Sequence, residues 1–204
     1  MIKILADTTS TISVDEAKEL GIYYLPQIIV FDDKSYRDDN EITTEEFLEK
    51  LRKSVNLPKT AAPPPALYTP IYEEIIRNED TALVLAPSSK VSGTYRSAIV
   101  AAQDFPNANI DVIDTQLIGP GFGTVVRMAV QWVKEGLSLE EIKNRIDDYS
   151  KRSVIYLYVD TLEYLHKGGR IGTAKALAGS VLQIKPILMF KDGQINPFEN
   201  QRTK

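Results

Sequence analysis

Cysteine is absent and histidine occurs once, at His166, in a chain of 204 residues. The first absence excludes disulfides, thiolate nucleophiles and cysteine-based zinc or iron–sulfur sites. The second leaves a Ser-His-Asp triad a single residue to recruit and rules out a multi-histidine metal site within one chain. A basic surplus is missing as well. The formal net charge is −4, and no Lys/Arg stripe or interleaved basic–aromatic segment supplies the attraction to a phosphate backbone that nucleic-acid binding requires. Long apolar runs are also lacking: nothing approaches the ~20 residues of a spanning helix, and MIKILAD reaches Asp7 before an apolar signal core can form. The expectation is a cytoplasmic protein with no metal site, no nucleic-acid partner and no membrane insertion.

What is present is the composition of a globular protein, 43% hydrophobic and 25% charged, enough for one large domain or one domain and part of another. The most telling segment is TALVLAPSSKVSGTYRSA, residues 81–98. An apolar run of strand length delivers Ser88, Ser89, Ser92 and Thr94 to a helix start, where unpaired N–H groups and the positive dipole end favour an anion. Gly93 removes a side chain where a ligand would approach the backbone. Ordinary N-capping is the alternative use of the same hydroxyls.

The rest of the pattern is βα repeated. Ile2 to Ala6 predicts a buried strand ending at Asp7, then the hydroxyl cluster Thr8 to Thr11 and a helix from Val14 to Leu20. Tyr23 to Phe31 predicts one strand, and Thr43 or Thr44 with Glu46 starts a helix whose inner face carries Leu48 and Leu51. LPKTAAPPP, residues 57–65, holds four prolines and reads as a stiff loop, unable to be helix or central strand. Helices follow over 66–78, 93–104, 121–134 and 139–151, with strands over 81–86 and 110–114. After a boundary near Arg152 the grammar changes: a strand over 153–159, a loop with Lys167, Gly168, Gly169 and Arg170, a short helix over 174–181, and a strand over 185–190 closed by the hairpin turn Asp192-Gly193. The fold class is α/β. A mainly parallel sheet flanked by helices occupies residues 1–152, and a truncated second α/β domain with antiparallel strands occupies 153–204.

Ligands of open α/β sheets bind at the carboxyl ends of the strands. Three such loops carry small polar residues, over 7–10, 88–94 and 115–124, and Thr60 joins them if its loop folds over the same edge. Asp7 is open to several roles, as an acid, a Mg²⁺ ligand, a phosphoryl acceptor or a tie for its own loop. Gly119, Gly121 and Gly123 imitate a dinucleotide fingerprint, but the spacing is wrong and Pro120 interrupts it, so close helix-to-sheet packing is the better use. His166 reads as a boundary residue.

ILADTTSTIS, PKTAAP at Pro58 to Pro63, SSKVSGTYRSA, VIDT at Val112 to Thr115, and YLHKGGRIG followed by LQIKPIL together resemble the DegV family of bacterial fatty-acid-binding proteins, along essentially the whole chain. The resemblance implies a non-catalytic carrier. One long-chain fatty acid, palmitate for example, would lie in an apolar tunnel between two domains, with no other cofactor. A separate ATP-dependent fatty-acid kinase would receive it. By position, Thr60, Ser92 and Gly93 match the residues that meet the carboxylate, Arg202 matches an arginine near the mouth of the site, and Arg170 is a further candidate for the rim or for partner contact. Ala61 and Ala62 depart from the serine and glutamine usual in that loop. Family members continue beyond the position of Lys204, so an open sheet edge and a homodimer are expected here. The reading from another class is a phosphoryl-transfer or phosphosugar enzyme, with Ser88 to Thr94 as a phosphate cradle and Asp7 as acid or metal ligand.

Overall fold

A computed structural model describes residues 1–177 and 184–202, with the side chains of 184–185 and 199–202 excepted. Its centre is a four-stranded parallel sheet. The order is β2 (Tyr23–Leu25), β1 (Ile2–Asp7), β6 (Thr81–Ala86), β7 (Ile110–Asp114). Strands buried on both faces read as continuous apolar runs, and ILA and ALVLA do so because alternate side chains serve opposite layers. Ile4, Ala6, Leu83 and Leu85 face one core with Phe122, Val125, Val126 and Ala129 of α5 (Gly119–Lys134) and Ile142 and Ile146 of α6 (Leu139–Arg152). Leu5, Ala82 and Val84 face the other, with Tyr68, Tyr72 and Ile75 of α3 (Pro65–Arg77) and Ala98 and Ala101 of α4 (Thr94–Ala102). Each fully buried Leu or Ile contributes about 1.5–3 kcal/mol.

Helix starts follow local chemistry. Ser13 caps α1 (Val14–Leu20), and Thr43 with Glu46 and Ser138 with Glu141 form reciprocal capping boxes on α2 (Thr44–Lys53) and α6. Pro65 begins α3, where a missing N–H costs nothing. Gly123 permits the close approach of α5: a Cβ there would lie 2.2 Å from the Ser10 carbonyl oxygen. Gly121 likewise leaves room for the Ile155 side chain, 2.9 Å from where a Cβ would stand, so these two glycines serve packing as the sequence suggests, whereas Gly119 has nothing near it and holds a positive φ of 52° instead.

Among the described residues, two small antiparallel sheets complete the fold. One has the order β4 (Lys34–Arg37), β3 (Ile28–Phe31), β5 (Lys59–Ala61), and the other β10 (Gln194–Arg202), β9 (Ile184–Lys191), β8 (Ile155–Tyr158). The single strand expected over 23–31 is broken. Pro26 has no N–H for a ladder, so β2 stays in the parallel sheet while β3 leaves it and pairs with β4 and β5. The proline loop is likewise more ordered than expected: Lys59 to Ala61 forms an edge strand, with Thr60 opposite Ile29.

Leu48 does not line the inner face of α2. It is 41% exposed, and Phe47 instead meets the Phe31 ring at 5.8 Å. The short helix expected over 174–181 is a 3-10 turn, Gly172–Leu177, and its remainder lies outside the described residues. The loop before it contains a single helical turn, α7 (Glu163–Lys167). Asp192 and Gly193, both at positive φ, make the hairpin turn between β9 and β10.

Candidate functional site

The strand order reverses direction around β1 and β6, so the loops after these two strands flank a crevice at their carboxyl ends. A cavity of about 460 Å³ opens there. Its polar wall is Thr9, Gln27, Thr60, Ser92 and Gly93, and its apolar wall includes Val91, Ile118, Leu165, Phe190 and Ile195, with Arg170 at the rim. All three sheets contribute. The third sheet is seated over the crevice through a core of Ile171, Leu188, Phe190 and Ile195, against which Val91 and Ile118 of the parallel-sheet loops pack.

The polar wall is a connected network. Asp7 is fully buried. Its Oδ1 accepts from the Thr9 N–H at 3.0 Å and from the Thr9 hydroxyl, and its Oδ2 accepts from Gln27 Nε2 at 2.7 Å and from the Thr94 hydroxyl at 2.6 Å. Gln27 Nε2 also lies 3.0 Å from Thr94 Oγ1, and Ser92 Oγ lies 3.0 Å from that same oxygen while accepting the Thr94 N–H at 3.2 Å. Burial pushes the Asp7 carboxyl up, and the hydrogen bonds from Thr9, Thr94 and Gln27 only partly offset it. Beside it, Asp38 accepts the Thr8 hydroxyl at 2.8 Å, and burial pushes it up to about 6.

Not every hydroxyl of the Ser88 to Thr94 segment faces a ligand. Ser88 is buried and donates to the Gly193 carbonyl at 2.6 Å, which fastens the β9–β10 hairpin to the parallel sheet. Ser89 donates to Asp114 at 2.5 Å, and Thr94 is spent on Asp7. Only Ser92 of the four lines the cavity. A phosphate cradle built from the whole segment does not form, because tertiary partners have taken three of its donors. Among the described residues no cluster of carboxylates and His166 could hold a metal ion.

Thr60, Ser92, Gly93 and Arg170 come together around this cavity. Arg170 is held there by donating to Val91 O at 3.2 Å and Gly168 O at 2.6 Å, which leaves guanidinium donors over. A second, open cleft of about 950 Å³ adjoins it, sharing Thr60, Leu165 and Arg170 and running under Phe47, Leu51 and Leu57. Arg202 ends β10, and its side chain lies outside the described residues. His166 is exposed and lines neither space. Gln27 is the residue that sequence reasoning missed. The signal was a lone polar side chain inside the apolar run YYLPQIIVF, directly after the proline that breaks it.

A polar floor beneath an apolar-walled cavity suits an amphiphile. The family model described as "Uncharacterised protein, DegV family" matches residues 1–204. A DegV domain-containing protein of Halalkalibacterium halodurans is 34% identical over 204 residues, covering 100% of this chain and 72% of that protein. Among solved structures, the fatty-acid-binding DegV family protein of Thermus thermophilus superposes with a TM-score of 0.91 at 35% identity, covering 99% of this chain and 72% of its own. A stearic-acid-binding protein of Eubacterium ventriosum gives 0.91 at 28% identity, covering 100% and 72%. In sequence along its whole length, and in fold, the chain belongs to the DegV family.

Proposed function

We propose that this chain is a fatty-acid carrier without chemistry of its own, which binds one long-chain fatty acid and presents it to a separate ATP-dependent fatty-acid kinase. The observation that carries the reading is the cavity in which Thr60, Ser92 and Gly93 meet an apolar wall, in a fold shared with relatives solved as fatty-acid binders. The carboxylate is held by the hydroxyls of Thr60 and Ser92, with the backbone at Gly93 open to its approach. Gly93 has only the Ala62 methyl facing it, 3.6 Å from where a Cβ would stand. The tail lies along apolar surface, and each buried methylene contributes about 0.8 kcal/mol. Arg170 stands at the rim as a partner contact, and Arg202, at the end of β10, is the further candidate for that role. With the chain divided into two domains, residues 1–152 and 153–204, as this reading has it, the cavity would lie at their junction.

The experiment is native mass spectrometry of the purified protein followed by lipid analysis, then titration of Thr60→Val/Ser92→Ala with hexadecanoic acid and hexadecanol. A one-to-one fatty acid is expected, and the double variant should weaken the acid by about tenfold or more while sparing the alcohol. Equal losses for both would overturn the carboxylate assignment, and no bound lipid after added hexadecanoate would overturn the carrier reading.

A further inference from the structure

The hydroxyls behind the cavity wall form a chain with a countable number of protons. Thr94 has one hydroxyl proton, and while Asp7 is ionised that proton goes to Asp7 Oδ2, 2.6 Å away. In the 3.0 Å contact between Ser92 and Thr94 the donor is therefore Ser92, whose own proton is drawn away from the cavity. An ionised Asp7 opposes a carboxylate ligand twice: it keeps Thr94 an acceptor that competes for the Ser92 proton, and it sets a negative charge behind the hydroxyl layer. Protonation reverses the chain. The Asp7 O–H donates to Thr94 Oγ1, the Thr94 proton turns to Ser92, and the Ser92 proton is released towards the ligand, each bond polarising the next.

Resting on the reading above, we propose that binding of a fatty-acid carboxylate is coupled to uptake of one proton by Asp7, which acts through Thr94 as the positioning residue for Ser92. The proton comes from solvent, and no other bond is made or broken. The surroundings favour this. Among the described residues neither Asp7 nor Asp38 has an ion pair. The titratable groups facing Asp7 are Asp38 from beyond β4, Tyr24 from β2 and Tyr68 from α3, and Asp7 in turn raises all three. Among the described residues the one cation on the cavity is Arg170 at its rim. Burial pushes the Asp7 carboxyl up, the same direction in which a second carboxylate across the hydroxyl layer would move it.

The test is calorimetric titration of the whole chain with hexadecanoate, delivered from cyclodextrin, in two buffers of different protonation enthalpy. Close to one proton should be taken up per acid bound and none per hexadecanol. Full coupling makes the acid bind about tenfold tighter for each unit that pH falls, and leaves the alcohol unchanged. Asp7→Asn, whose amide donates to Thr94 at every pH once the Gln27 amide turns its oxygen towards it, should flatten that slope and bind the acid more tightly than the natural chain at pH 7. The carboxyl ¹³C signal of labelled hexadecanoate should report an ionised ligand. Binding without proton uptake, a protonated bound ligand, or loss of acid affinity in a folded Asp7→Asn variant would each overturn the proposal. If that variant does not fold, the calorimetry and the ¹³C signal on the natural chain decide alone. Failure of hexadecanoate to bind at all would sink the functional reading and this inference with it, whereas binding without uptake sinks this inference only.

Discussion

The two spaces that meet at Thr60 are walled in opposite ways. On the parallel-sheet side Asp7, Ser10, Ser88, Thr94 and Thr115 are all buried, and each makes hydrogen bonds to partners elsewhere in the chain. On the other side α2 has no buried residue, and Val55 just after it is 99% exposed. A preorganised wall loses no rotamer freedom when it meets a headgroup, while a loosely packed one adapts to what lies against it. On the proposed function, the Ser92 end is thus built for discrimination and the α2 side for accommodation.

The contrast can be broken most forcefully from its rigid side. Phe122→Ala, at a fully buried position against β1 and β6, should destabilise by about 3–5 kcal/mol. Phe47→Ala on α2 should cost about 1 kcal/mol or less, since it loses mainly its ring contacts with a surface sheet. Denaturant midpoints of the two variants measure the gap, and similar losses would mean that α2 is not a loose wall.

Ser88→Ala should cost about 1–3 kcal/mol by leaving the Gly193 carbonyl unpaired. Hydrogen exchange should show the β9–β10 hairpin loosening while α5 and α6 keep their protection. Uniform loosening would show that Ser88 does not hold the hairpin in particular.

A gentler probe is pH. Asp38 in the folded chain is pushed up to about 6 from an ordinary 3.8. Between these values the folded chain holds a proton that the unfolded chain has released, so this group makes the protein more stable as pH falls from 7 towards 5. Asp38→Asn should flatten that part of the stability profile, and an unchanged profile would place the titration elsewhere. A small effect is also expected at the exposed cap Ser138 of α6, where Ser138→Ala should cost about 1 kcal/mol and leave ligand binding untouched, as thermal unfolding and titration would show.

Much of the fold could be read in the sequence because local rules sufficed. ILA and ALVLA announce buried strands, Thr43 with Glu46 announces a helix start, and Asp192-Gly193 announces a hairpin. The site was legible only as a neighbourhood. Four hydroxyls between residues 88 and 94 look equivalent in the sequence, yet Ser88 is claimed by a carbonyl 105 positions away and Thr94 by a carboxylate 87 positions away. No local pattern encodes such long-range claims. The same applies to the strand over 23–31, where Pro26 was visible but its consequence, a change of sheet, depended on β5 arriving from the proline loop.

That change of sheet makes Pro26 and Gln27 a corner with two duties. The corner turns the chain out of the parallel sheet, and its second residue is bolted to Asp7 and Thr94 beneath the cavity. A protein engineer altering ligand preference would therefore find the two ends of the pocket unequal as starting material. Substitutions at the corner reset the geometry of a whole sheet, whereas those along α2 can be tried one at a time.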